Sequence, residues 1–164
     1  MTDKPSDDIR LLPDVSLTAA GSAREIALRD IGVPTVLVFH GQDNGGAALQ
    51  VNKTLRKEYP AADQVFIASV IDLRSFPSMF HGMVRPALEK AYFNASGKLP
   101  EGADPAALVV LLPDWDGAVS DAVGMVDATR TAGVAVADAG GKVVCIDQSE
   151  KLDQAALAAI AGLS

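Results

Sequence analysis

Three short apolar runs rich in β-branched residues punctuate the chain, at residues 33–39, 65–71 and 108–112. None alternates with polar positions, so each reads as a strand covered on both faces of a sheet. Between the runs the apolar period changes. Ala48, Val51, Leu55 and Tyr59 recur at steps of three and four, which predicts a helix between the turn at residues 41–46 and Pro60. Asp43 or Asn44 is placed to cap that helix. A second helix is expected over 75–93, with Phe80, Val84, Ala87, Leu88 and Ala91 on its core side, Pro77 in its first turn and a kink or break at Pro86. Looser alternation at 15–18 and 25–28, around Gly21-Ser22, predicts a hairpin. Residues 97–105 read as polar loop, and Pro113-Asp114 closes the third run. A short helix follows at 117–123 and stops at Gly124. Strands at 134–137 and 142–146 flank an Asp138-Ala139-Gly140-Gly141 turn, and residues 152–161 form a closing helix.

Strand and helix alternation through the middle implies parallel pairing, and the late hairpin implies an antiparallel edge. The chain has 164 residues, enough for one domain with a real core. The expected layout is a flexible tail at 1–10 and a single domain at 11–164. A formal net charge of −7 argues against a general nucleic-acid binder and against an anionic membrane as partner. Lys53, Arg56 and Lys57, beside Glu58, read as a solvated helix face. The acidic N-terminus carries no apolar stretch of signal-peptide length, so a cytoplasmic location is expected. A single cysteine allows no internal disulfide.

Three stretches carry a resemblance. Val15-Ser16-Leu17-Thr18, through Ile26-Ala27-Leu28-Arg29-Asp30 to Pro34-Thr35-Val36-Leu37-Val38-Phe39, is the first. Asp114-Trp115-Asp116-Gly117-Ala118-Val119, on to Val123-Gly124-Met125, is the second. Val134 to Asp138 followed by Gly141-Lys142-Val143-Val144 is the third. In this order they resemble the thioredoxin-like superfamily, nearest its peroxiredoxin and TlpA-type (redoxin) branch. The resemblance implies a thioredoxin-like three-layer α/β/α domain with a mixed central sheet and an N-terminal β-hairpin. It also implies thiol chemistry at the turn before the first long helix, through P-x-x-x-[TS]-x-x-C or C-x-x-C. Residues 42–49 supply neither pattern. The resemblance implies Arg130 as the match for the arginine that keeps a peroxidatic thiolate ionised, about two residues too far from Asp138, and Thr131-Ala132-Gly133 stands where thioredoxins place a cis-proline.

What remains is a helix N-terminus with free N–H groups and short polar side chains: Gln42, Asp43 and Asn44, with His40 at the end of the preceding strand. With Arg130 and Thr131 these are the candidate ligand-binding residues. The sole thiol, Cys145, lies between Val144 and Ile146, as a buried and inert strand residue would. Met79, His81 and Met83 spell M-x-H-x-M, but a helix puts His81 about 200° from the two methionines. Trp115 sits in an exposed turn as a partner contact or as a lid over strand ends. The expected function is therefore a redox-inactive binding, scaffold or regulatory module for an unidentified protein or small molecule. No cofactor is called for, and association of copies is compatible with the resemblance. The alternatives are a thiol oxidoreductase with a relocated cysteine, Cys145, and a metal or cofactor carrier using His81 and its methionines.

Overall fold

The computed structural model describes residues 10–163. The run at 33–39 becomes β3 (Thr35–His40), every residue of it buried, at the centre of a five-stranded sheet. On one side it pairs in parallel with β4 (Phe66–Asp72), which pairs in parallel with β5 (Leu111–Asp114). On the other it pairs antiparallel with β6 (Gly133–Ala137), which pairs antiparallel with the edge strand β7 (Val143–Asp147). The N-terminal hairpin, β1 (Ser16–Thr18) and β2 (Glu25–Ala27), forms its own two-stranded sheet.

The period of two along β3 divides the core. Val36 and Val38 point into a cluster with Val51, Leu55 and Ile160, contributed by α1 (Gly46–Glu58) and α5 (Leu152–Ala161). Leu37 and Phe39 point to the opposite face, into a cluster with Ile26, Leu28, Leu112 and Val119. The hairpin and α4 (Ala118–Val123) cover that face. α4 lies between two glycines in the left-handed region. Past its end the N–H groups of Gly124 and Met125 both donate to the Ser120 carbonyl, which ends the helix.

Two elements depart from the periodicity. The run at 108–112 is not one strand. Asp104 caps a single turn, α3 (Pro105–Leu108), by accepting from the Ala106 N–H at 3.1 Å, with Pro105 at its first position. The strand begins only at Leu111 and includes Pro113 and Asp114, which an edge strand accommodates. The helix expected over 75–93 begins as a 3-10 turn (Ser78–Phe80) and continues as α2 (His81–Ser96) through Pro86 without a break. Its expected core side is not buried: Phe80, Ala87 and Ala91 are exposed, and Val84 and Leu88 are half-buried. Only Tyr92 is buried on α2.

Arg56 also departs from its expected place on a solvated helix face. It is no solvated charge, because its Nη1 donates to the carbonyls of Tyr59, Ala61 and Val65 at 2.9 to 3.1 Å, which ties the end of α1 to the loop entering β4. The expected tail lies outside the described residues except for Arg10. That residue is anchored: its carbonyl accepts from Val143 N–H and its Nη1 donates to Val123 O. Among the described residues no helix is long and apolar enough to cross a membrane.

Candidate functional site

The carboxyl end of β3 delivers His40 and the turn at 41–46 to the head of α1. Neither Asp43 nor Asn44 caps the helix. The cap residue is Gly45, with no side-chain cap bond. Among the described residues the N–H groups of Gly45 and Gly46 have no backbone acceptor, so the helix presents open donors there.

Asn44 is occupied elsewhere. Its Oδ1 accepts from Gly41 N–H at 2.6 Å, and its Nδ2 donates to the Ala128 carbonyl at 2.9 Å. It thus fastens the turn to the loop before β6. Gly41 allows the approach, since a Cβ there would lie 2.8 Å from Thr129 Cα. The same loop is held from its other side by Gln148. The Gln148 amide accepts from Val126 N–H and donates to the carbonyls of Val126 and Thr131, each at 2.9 Å.

His40 is 7% exposed and lies beneath the turn, its Cε1 3.4 Å from the Cβ position of Gly45. Its Nδ1 meets the Gly41 carbonyl at 2.6 Å. A carbonyl only accepts, so Nδ1 carries the proton. Burial lowers the imidazole pKa against the opposing pull of that bond, which keeps the ring neutral and leaves Nε2 as a bare acceptor.

Gln42 and Asp43 are exposed on the turn. Arg130 and Thr131 are exposed on the loop and line a cleft of about 370 Å³ with Ala47 and Gln50 of α1 and the segment entering α5. Thr54 donates to Asp153 at 2.8 Å, the main cause holding that carboxyl below its usual range. Of the six candidate residues, then, Arg130 and Thr131 line the cleft, Gln42 and Asp43 stand free on the turn, His40 lies under it and Asn44 is a strut.

Cys145 is half-buried rather than buried, packed at the margin of the α1–α5 cluster. The register places it opposite Val136, which lies opposite Val36. Val36 is four residues along β3 from His40, so the thiol is about 13 Å along the sheet and about 10 Å across it from the turn. Burial, and secondarily Asp147, push its pKa up.

The M-x-H-x-M residues do not converge. Met79 is 80% and Met83 72% exposed, while the His81 ring stacks on Trp115 at 4.2 Å and its Nε2 meets the Phe76 carbonyl. Trp115 is half-buried rather than exposed.

Sequence reasoning missed the polar network that shapes the Trp115 turn. Asp72 and Asp114 are paired positions on β4 and β5, and both are buried. Asp114 accepts from Val119 N–H, Ser120 N–H and Ser120 Oγ. Arg74 bridges Asp72 and Asp121 at 2.9 and 2.8 Å. These residues come from separate elements, and no local pattern announces the grouping.

No family model matches the sequence, and no curated protein matches it. Solved structures do. The pneumococcal exposed lipoprotein thioredoxin Etrx1 of Streptococcus pneumoniae TIGR4 is 19% identical, with a TM-score of 0.61 over 92% of this chain and 100% of that one. The structure of MTB dsbF, in mixed oxidized and reduced forms, is 17% identical with a TM-score of 0.58 over 92% and 96%. A putative thiol:disulfide interchange protein DsbE from Chlorobium tepidum is 18% identical with a TM-score of 0.57 over 94% and 98%. The chain has the thioredoxin-like fold.

Proposed function

We propose that this chain is a thioredoxin-like binding module that does no thiol–disulfide chemistry and holds a partner segment or small molecule at the cleft beside residues 41–46. One observation carries the reading: the head of α1 has no sulfur, and Asn44 of that turn is committed to fastening the turn to the loop before β6. What the cleft offers is recognition. The exposed Arg130 guanidinium donates, the Thr131 hydroxyl donates and accepts, and Gln50, whose amide N–H is engaged by Thr54 and Asp153, offers its carbonyl; the open N–H groups of Gly45 and Gly46 lie next to the cleft, at the head of α1.

The relocated-thiol reading asks more of Cys145 than its surroundings give. A reactive thiol needs a lowered pKa and an electropositive setting. Cys145 has a raised pKa and a carboxylate nearby. A carrier built on His81 would first have to break that ring away from Trp115 and from the Phe76 carbonyl.

The test is turnover and binding on the same purified chain. Insulin-disulfide reduction and peroxide consumption should be at background and identical in C145A. Amide shifts of residues 41–50 and 130–132 should respond to a panel of peptides and small acids. Turnover abolished by Cys145→Ala would overturn the proposal, as would a ligand that shifts amides only elsewhere.

A further inference from the structure

We propose that the cleft between the N-terminal hairpin and α2 binds a small monocarboxylate with an apolar tail, its carboxylate held by Arg85. This cleft shares no lining residue with the one beside α1, and it stands whether or not that one binds anything.

α2 does not lie down on the sheet. It is propped at two places. Toward its C-terminal half, Tyr92 packs against the backbone of Gly21, where a Cβ would overlap the ring. Toward its start, His81 and Arg85 rest on Trp115, with the indole centroid 4.2 Å from the imidazole and 4.7 Å from Arg85 Cζ. Trp115 is itself fixed by the turn that Asp114 organises. Between the props lies a space of about 310 Å³. Leu17, Ala19, Leu88 and Pro113 give it apolar walls, and small residues keep its hairpin side low. That volume is at the small end for ligand pockets, which selects a short tail.

The polar lining holds one cation, Arg85, beside Glu89, Ser16 and Thr18. Among the described residues the Arg85 guanidinium makes no hydrogen bond or ion pair; the only two ion pairs belong to Arg74. The guanidinium carbon lies over the indole ring, and the guanidinium N–H groups make no hydrogen bond among the described residues. A planar fork of that kind matches a carboxylate in bidentate fashion. Glu89, one helical turn on, also lines the cleft. It repels a second carboxylate, so the cleft favours monoacids over diacids.

Trp115 is the only tryptophan of the chain, which makes its fluorescence a reporter at the site. The full chain would be titrated with butanoate, pentanoate and hexanoate, and with hexylamine and 1-hexanol as head-group controls. Amides of residues 19–21 would be followed by NMR as a second readout. The expected result is saturable binding of the acids, tightening about fourfold per methylene. 1-Hexanol and hexylamine should each bind at least about tenfold more weakly than hexanoate. Arg85→Gln should reduce hexanoate to the level of 1-hexanol with the fold intact by circular dichroism, and Glu89→Gln should tighten hexanoate. Equal binding of hexanoate and 1-hexanol, full affinity in R85Q, or no saturable response by either readout would each overturn the proposal.

Discussion

Asn44 decides whether the head of α1 is a preformed site or a loose turn. The substitution to test is Asn44→Ala. It deletes the bond from Gly41 N–H and the bond to the Ala128 carbonyl. Each is worth about 1 kcal/mol net, and both join groups withdrawn from water, since Gly41 and Ala128 are buried. The expected loss is about 2 kcal/mol, which lowers the midpoint of thermal unfolding by about 4–8 °C in a domain of this size.

Asn44→Asp sharpens the test. It keeps the acceptor for Gly41 but sets a second oxygen against the Ala128 carbonyl, where two acceptors face each other. The folded state therefore disfavours the charged form, and the introduced acid has a folded pKa above its unfolded value. Its deficit relative to the parent is smallest below the unfolded value, about pH 4, where the acid supplies an O–H donor. The deficit grows as pH rises through the folded pKa. Urea unfolding of both variants across this range, with amide exchange at Gly41, measures it. If N44A stays within about 0.5 kcal/mol of the parent and Gly41 exchange is unchanged, Asn44 is no strut and is free to face a ligand.

Gly41→Ala should cost about 1–3 kcal/mol, because its Cβ would meet Thr129 Cα at 2.8 Å and backbone yields poorly; an unfolding midpoint equal to the parent's contradicts that contact. Cys145 should react with a thiol reagent at neutral pH several-fold more slowly in the folded chain than in urea, since burial and Asp147 raise its pKa; labelling at the unfolded rate would mean an open, unperturbed thiol. Burial is the main cause holding the Asp114 carboxyl above its usual range, against the donors from Ser120 and Val119. A raised folded pKa means that the parent loses stability as pH climbs from the unfolded value through the folded one. The stability of Asp114→Asn relative to the parent should therefore rise across that window, and a difference flat in pH would show that burial does not govern this acid.

Much of the fold was legible because burial writes itself into single segments. The run at 33–39 gave the central strand, and residues 152–161 gave α5 to the residue. The errors came where a local signal needed a distant partner. The periodicity of Phe80, Val84, Ala87, Leu88 and Ala91 identifies a helix face but not what lies opposite it, and here α2 is contacted instead through Tyr92 at Gly21 and His81 at Trp115. At 108–112 the apolar run outweighed Asp104 and Pro105, whose cap chemistry takes its first residue into a helical turn. Arg56 looked like its neighbours Lys53 and Lys57, yet three loop carbonyls claim it. Asn44 was read as a helix cap or a ligand-binding residue at that turn, and it does not cap the helix. Its role was hidden because Ala128, its partner, is 84 residues away.

A sulfur-free turn also changes what the head of α1 can select. In a thiol enzyme the positive end of the helix is answered by the thiolate itself. Here the one carboxylate on the turn, Asp43, is exposed and makes no bond to the helix N–H groups, while Asn44 is neutral and His40 is kept neutral by burial. The donors of Gly45 and Gly46 and the cation of Arg130 therefore favour a ligand rich in acceptors. Glu150 and Asp153, farther along the cleft, limit how much negative charge that ligand can carry. A peptide backbone satisfies both conditions, since its carbonyls accept without bringing net charge. Binding of that kind should depend weakly on salt, whereas a ligand held chiefly by Arg130 would be released as ionic strength rises.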